Sequence, residues 1–425
     1  MTTIPNENPL SAIAGLFGEG FTFISNRRKK YNSDIFKIGI PGLPVICIGG
    51  EDAARIFYDP EKFQRKGAVP PPIQKTLTGV NAIHTTDGSV FRSRKEMFLS
   101  LMTDENIARL GDLLESELKS AATRWEARRK VTLFTEAAEV LCRAICKWSG
   151  VPLNEEDGPK RTKDFLAMVD AFGSLGSRNI RGRKARKRTE RWIRKLIKSI
   201  REGKSKAQPG SALALTTFHR EPDGLLLSPR LAAIELINIL RPTVAIAWYV
   251  TFAATALITY PSCESAVRDN TENYRERFIN EVRRFYPFAP FMGAKVKQSF
   301  SWNGYTFPAG ALVLLDMYGT NHDGRLWSRP ATFDPDRFIG REIKPFDFLA
   351  QGGGDPHSGH RCPGEWITIE ALKRFLKFLT SGIAYTVPRQ DLSFSLSRMP
   401  TLPKSGFVMD HVKKLSPETK FLNLD

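Results

Sequence analysis

Cysteine is scarce in this chain and never closely paired: Cys47, Cys142, Cys146, Cys263 and Cys362 are the only five in 425 residues, with no Cys-x-x-Cys spacing. An odd, scattered set argues against a disulfide framework and a zinc module, and a reducing cytoplasm is the expected location. Lys and Arg are missing from the first 26 residues, which carry two Glu and two Pro; the basic start and apolar run of a secretion signal are therefore not expected there. Also lacking are an internal repeat, a low-complexity block and a Pro/Gly/Ser-rich linker, so one large domain over residues 1–425 is expected. Acidic residues are in short supply, 45 Asp+Glu against 63 Lys+Arg, a net charge of +18. Such a field attracts anionic partners of every kind and does not choose among them.

Hydrophobic residues make up 41% of the chain and Phe alone numbers 28, enough for a substantial core or an apolar pocket. Helical periodicity runs through 105–129, 132–149, 160–173, 184–203, 229–260 and 264–285, and a last strong helix is expected over 364–380. Short apolar runs broken by Pro and Gly predict a β-hairpin from 36–40 and 44–49 around Pro41-Gly42. After Pro287 strand-like pieces follow, including 295–305 with an Asn303-Gly304 turn, and 311–315. The expectation is a mainly α fold with small β-sheets. Residues 243–260 are uncharged for 18 positions, yet they carry four Thr and follow Arg241-Pro242; a buried central helix is expected rather than a membrane span. The 178–206 run holds fourteen basic and two acidic residues, with Trp192, Leu196, Ile197 and Ile200 at helical spacing. It reads as an amphipathic helix with a solvated basic face; peripheral contact with a membrane surface is the alternative use of that face, and no nucleic-acid partner is expected.

The most specific signal is the loop Gln351-Gly-Gly-Gly-Asp-Pro-His-Ser-Gly-His-Arg-Cys-Pro-Gly-Glu365, which delivers Cys362 to the start of an apolar helix. A thiolate there gains from the positive end of the helix and from free backbone N–H groups, and Pro363-Gly364 let a flat cofactor approach. Glu281-Val-Arg-Arg284 and Pro330-Ala-Thr-Phe333-Asp-Pro-Asp-Arg337-Phe338 precede it in order. Together these segments resemble the cytochrome P-450 superfamily over essentially the whole chain. The resemblance implies a heme b whose iron takes Cys362 as its axial metal ligand. It also implies that Arg337 joins a Glu281–Arg284 pair.

Departures from the general pattern are informative. The loop has Asp355 seven residues before Cys362, where Phe is usual, and His360 two before, where Arg is usual. The central helix lacks the acid–Thr pair and reads Asn238-Ile-Leu-Arg241-Pro242-Thr243 instead. An Arg in so apolar a helix needs a counter-anion, and Pro242 opens the helical ladder beside it; the counter-anion is a ligand, an internal Asp or Glu, or a heme propionate. The Arg-Pro pair, the extended Gly-rich loop and 76–88 resemble the bacterial fatty-acid peroxygenases, including the alkene-forming decarboxylases. That resemblance implies hydrogen peroxide as co-substrate and no obligatory redox partner. It assigns Arg241 to the substrate carboxylate with Leu77 and Thr78 beside it, and Pro242 to shaping the site. His84 becomes a product-determining group, and Arg65, Arg94, Lys95 and His360 become charge partners of the heme propionates. The expected products are 2- and 3-hydroxy fatty acids together with terminal alkenes. The alternative is a reductase-dependent heme-thiolate monooxygenase on lipophilic substrates.

Overall fold

The computed structural model describes residues 4–39 and 44–415. Helices dominate, and small sheets gather at the edges. The main core is built from the helices Asp104–Glu126, Leu133–Ser149, Pro229–Val244, Ile246–Thr259 and Glu365–Ser381. Leu110, Leu114 and Leu118 of the first share one cluster with Leu141 and Ile145, Leu236 and Leu240, and Leu372 and Leu376 of the others, all out of contact with water. These are i, i+4 rows on single faces, and each buried Leu or Ile contributes about 1.5–3 kcal/mol over its exposed state. The stretch Pro229–Thr259 is long and apolar enough to cross a membrane, but 83% of its most apolar window is buried inside the fold.

Strands Ile35–Ile38 and Val45–Gly49 pair antiparallel with Ile35 opposite Ile48, as the hairpin reading requires; the Pro41-Gly42 turn lies outside the described residues. They belong to a six-stranded sheet with Asn6–Glu7, Leu312–Asp316, Phe291–Val296 and Phe63–Gln64. Phe300–Trp302 pairs with Tyr305–Phe307 through Asn303 and Gly304, both at positive φ, as the turn chemistry predicts. Two long helical readings differ from the observed elements. The 229–260 run breaks at Ala245, because Pro242 supplies no N–H to the carbonyl four residues back. The 264–285 run divides into Ser262–Asp269 and Tyr274–Phe285, because Asn270, Glu272 and Asn273 adopt left-handed backbone.

Glu281 and Arg284 form a fully buried two-bond pair at 2.7 Å, and Arg337 Nε lies 3.1 Å from the same carboxylate. Arg284 also donates to the carbonyls of Asn321, Pro330 and Thr332, while Glu281 accepts the Asp334 N–H. The cluster thereby ties the 274–285 helix to the segment that leads into the cysteine loop. Glu281→Ala leaves two cations uncompensated in a dry site and is expected to cost about 3–5 kcal/mol. A urea-denaturation midpoint unchanged from wild type contradicts that role.

Candidate active site

Cys362 closes a loop pinned at both ends. Its N–H donates to the Gln351 carbonyl at 3.0 Å, and Arg361 and Arg283 both grip Glu365, three residues on. Arg283 sits on the same helix as Glu281 and Arg284, so two ion-pair clusters fix the loop from one scaffold. Burial raises the Cys362 thiol pKa, and the Gly364 N–H aimed at its sulfur works in the opposite direction. A side chain at Gly364 would touch only that sulfur, at 3.8 Å, so the approach to the thiol is open.

Arg241 and Lys95 lie close enough to Cys362 for their charges to act on one another. His84 is deep enough that burial pushes its pKa down to about 3, yet its ring is open to water-sized space; Cys362 combines depth with partial accessibility in the same way. After burial, the causes acting on His84 are the charges of Arg241, Arg186 and Lys95 and the neighbouring His360 ring. Five of the sequence-predicted residues, Cys362, His84, Arg241, Lys95 and His360, are thus brought into one electrostatic neighbourhood. His84 is a neutral imidazole there, so what it offers is a hydrogen bond rather than a titrating proton.

Arg241 is buried, and no Asp or Glu among the described residues pairs with it. Its Nη1 donates to the Leu77 carbonyl at 2.5 Å, Nη2 makes a long contact of 3.4 Å to Asn238 Oδ1, and Nε has no partner. Burial, with Arg186 nearby, lowers its pKa to about 9: this is a cation lacking its anion. The internal-carboxylate reading therefore finds no residue to carry it. Thr243 cannot replace the missing acid–Thr pair, because its hydroxyl is bonded to the Ile239 carbonyl at 2.9 Å. Leu77 turns its side chain into an apolar wall with Phe134, Leu166, Val169, Trp248 and Phe288. Thr78 is buried with its hydroxyl on the Gly79 carbonyl.

The other predicted cofactor contacts divide. Lys95 Nζ donates to the Arg361 carbonyl at 2.6 Å, and burial lowers its pKa to about 8 despite the nearby Cys362. His360 lies over Phe91 with ring centroids 3.9 Å apart, near Asp87. Arg65 is buried, anchored on the Gly293 carbonyl at 2.8 Å and stacked over Phe57. Arg94 binds protein partners through Nε and Nη1: Glu221 at 2.8 Å, Glu235 at 3.0 Å and the Asn81 carbonyl at 2.7 Å. Arg186 is the residue that sequence reasoning missed. It is 2% exposed, and its Nη1 shares the Leu77 carbonyl with Arg241. Gly79 makes room for it, since a Cβ there would lie 2.4 Å from Arg186 Nη2.

A lone thiol under a backbone N–H, an open glycine face and cations unmatched by carboxylates fit an iron porphyrin with its two carboxylates, and they define a heme-thiolate enzyme. Residues 264–381 match the cytochrome P450 family model. Cytochrome P450EX alpha (CYP152N1), solved with myristic acid, is 43% identical with TM-score 0.93, covering 98% of this chain and 100% of that one. Cytochrome P450SP alpha (CYP152B1) in complex with (R)-ibuprophen is 42% identical with TM-score 0.91, over 94% and 98%. Ligand-free cytochrome P450 OleT is 33% identical with TM-score 0.94, over 97% and 99%. Among curated proteins, luvungin A synthase CYP716AC1 of Citrus sinensis is 23% identical over 81% of this chain and 77% of its own. The chain belongs to the cytochrome P450 family, within its CYP152 peroxygenase branch, and the family's cofactor is heme iron.

Proposed function

We propose that the chain acts as one catalytic domain that uses hydrogen peroxide to oxidise long-chain fatty acids at Cα and Cβ, without an obligatory redox partner. The observation that carries this reading is Arg241: a buried guanidinium without a protein carboxylate, close enough to Cys362 for their charges to interact. Cys362 holds the heme; Lys95 and Arg65 are the cations offered to its propionates, and His360, held neutral by burial, offers a hydrogen bond. Bound there, the heme supplies the oxidising power that removes hydrogen from the substrate.

Arg241 holds the fatty carboxylate by charge-assisted hydrogen bonds. Held in place, that carboxylate takes the proton from one peroxide oxygen and returns it to the other, so that water leaves as the O–O bond breaks. The wall around Leu77 and Phe288 takes the alkyl chain and keeps water away. Hydroxylation consumes one fatty acid and one peroxide and yields one hydroxy acid and one water. Decarboxylation consumes the same pair and yields alkene, carbon dioxide and two waters.

His84 divides these outcomes by a hydrogen bond from its neutral ring, and a difference of only ~1.4 kcal/mol between two exits shifts a product ratio about tenfold. Terminal alkene is therefore expected beside hydroxy acid. His84→Gln shifts the mixture toward 3-hydroxy acid, and Thr78→Phe, by tightening the pocket, shifts it toward alkene. Mass-spectrometric product analysis with purified protein, a fatty-acid series and peroxide alone tests the reading. A product ratio indifferent to His84 contradicts its role, and turnover only with a reductase contradicts the peroxide assignment.

A further inference from the structure

The Ser177–Arg201 helix borders a groove of about 450 Å³, closed on its other sides by Gln74, Lys75 and Val80 and by Arg230. Lys75, Arg183, Lys184, Lys187, Arg191 and Arg194 line it, all exposed, and none forms an ion pair among the described residues. Its one carboxylate, Glu190, is already engaged by Arg186 at 2.7 Å and Arg230 at 3.7 Å. Arg186 also lines the groove and is buried; Nε goes to Glu190 and Nη1 to Leu77, while Nη2 has no partner.

A solvated basic face spreads its charge and needs no concavity. Here six cations without ion-pair partners converge on one hollow floored by the buried Arg186. Such an arrangement is self-repelling until an anion enters. A single carboxylate neutralises one charge, and its alkyl tail would meet only one apolar side chain, Val80. The volume lies within the range of small-ligand sites, roughly 300–1,000 Å³. We propose that this groove binds a ligand carrying two or more phosphoryl groups, held by the six exposed cations that line it, as a site separate from the thiolate pocket. The two sites adjoin at the Leu77 carbonyl, which both Arg186 and Arg241 use, and the charge of Arg186 reaches Arg241.

Calorimetric titration of the full heme-loaded protein with inorganic pyrophosphate, in the absence of fatty acid and peroxide, tests the proposal independently of the catalytic reading. Saturable one-to-one binding is expected, about tenfold or more tighter than for orthophosphate and weakening as salt rises. Lys187→Ala combined with Arg191→Ala, both on the exposed rim, is expected to weaken pyrophosphate about tenfold or more while fatty-acid binding to the heme protein is retained. No saturable binding at about 50 mM salt overturns the proposal. So does equal affinity for the two anions, or unchanged affinity in the double variant. Binding of anionic phospholipid vesicles without pyrophosphate binding assigns the face to a membrane surface and overturns it as well.

Discussion

Arg241→Leu is expected to abolish fatty-acid-dependent peroxide turnover while leaving the protein folded and heme-loaded. Loss of a charge-assisted hydrogen bond in a dry site costs on the order of 2–3 kcal/mol in binding, roughly 30- to 150-fold. The rate falls further, because the carboxylate that moves the peroxide proton is no longer held at reacting distance. Leucine also removes a buried cation that has no protein counter-charge, so the variant is expected to be no less stable than wild type. Retention of folding with loss of turnover separates a ligand-binding arginine from a structural one. Measuring peroxide consumption and the thermal midpoint on the same preparation reads both quantities. Wild-type turnover in Arg241→Leu contradicts the role assigned to this residue.

Cys362→Ala is expected to remove heme-thiolate character altogether. The reduced carbon-monoxide complex loses its red-shifted Soret band, and peroxide-driven oxidation of fatty acids stops, because no other described cysteine lies in the 351–365 loop. Cys142 and Cys146 lie in the helical core, Cys47 on a strand, and Cys263 at the start of a separate helix. An unchanged spectrum in Cys362→Ala rules out the thiolate assignment.

Which parts of this site could be read from the sequence follows from where the information resides. The cysteine loop, the Glu281–Arg284 pair with Arg337, and Arg241-Pro242 were legible because each is a local pattern whose chemistry makes sense only in one setting. The turn at Asn303-Gly304 was legible for the same reason. Helix ends were less so: the break at Ala245 was foreshadowed by Pro242, but the left-handed residues at 270–273 carry no apolar signal. Arg186 was hidden among fourteen basic residues that composition cannot distinguish. Its place on the face shared with Gly182, Thr189, Ile193 and Ile197 was nevertheless a usable sign. The partners of Arg94, Glu221 and Glu235, could not be read, because they come from distant segments and such pairing is decided by tertiary packing alone.

The central claim is that the substrate's own carboxylate, held by Arg241, activates the peroxide. The most direct measurement compares peroxide consumption by the wild-type enzyme with a long-chain fatty acid, its methyl ester and the corresponding alcohol, each at saturating concentration. The account predicts rapid turnover with the acid and, with the ester and the alcohol, a rate at the substrate-free background. Ester or alcohol oxidised as fast as the acid would contradict it.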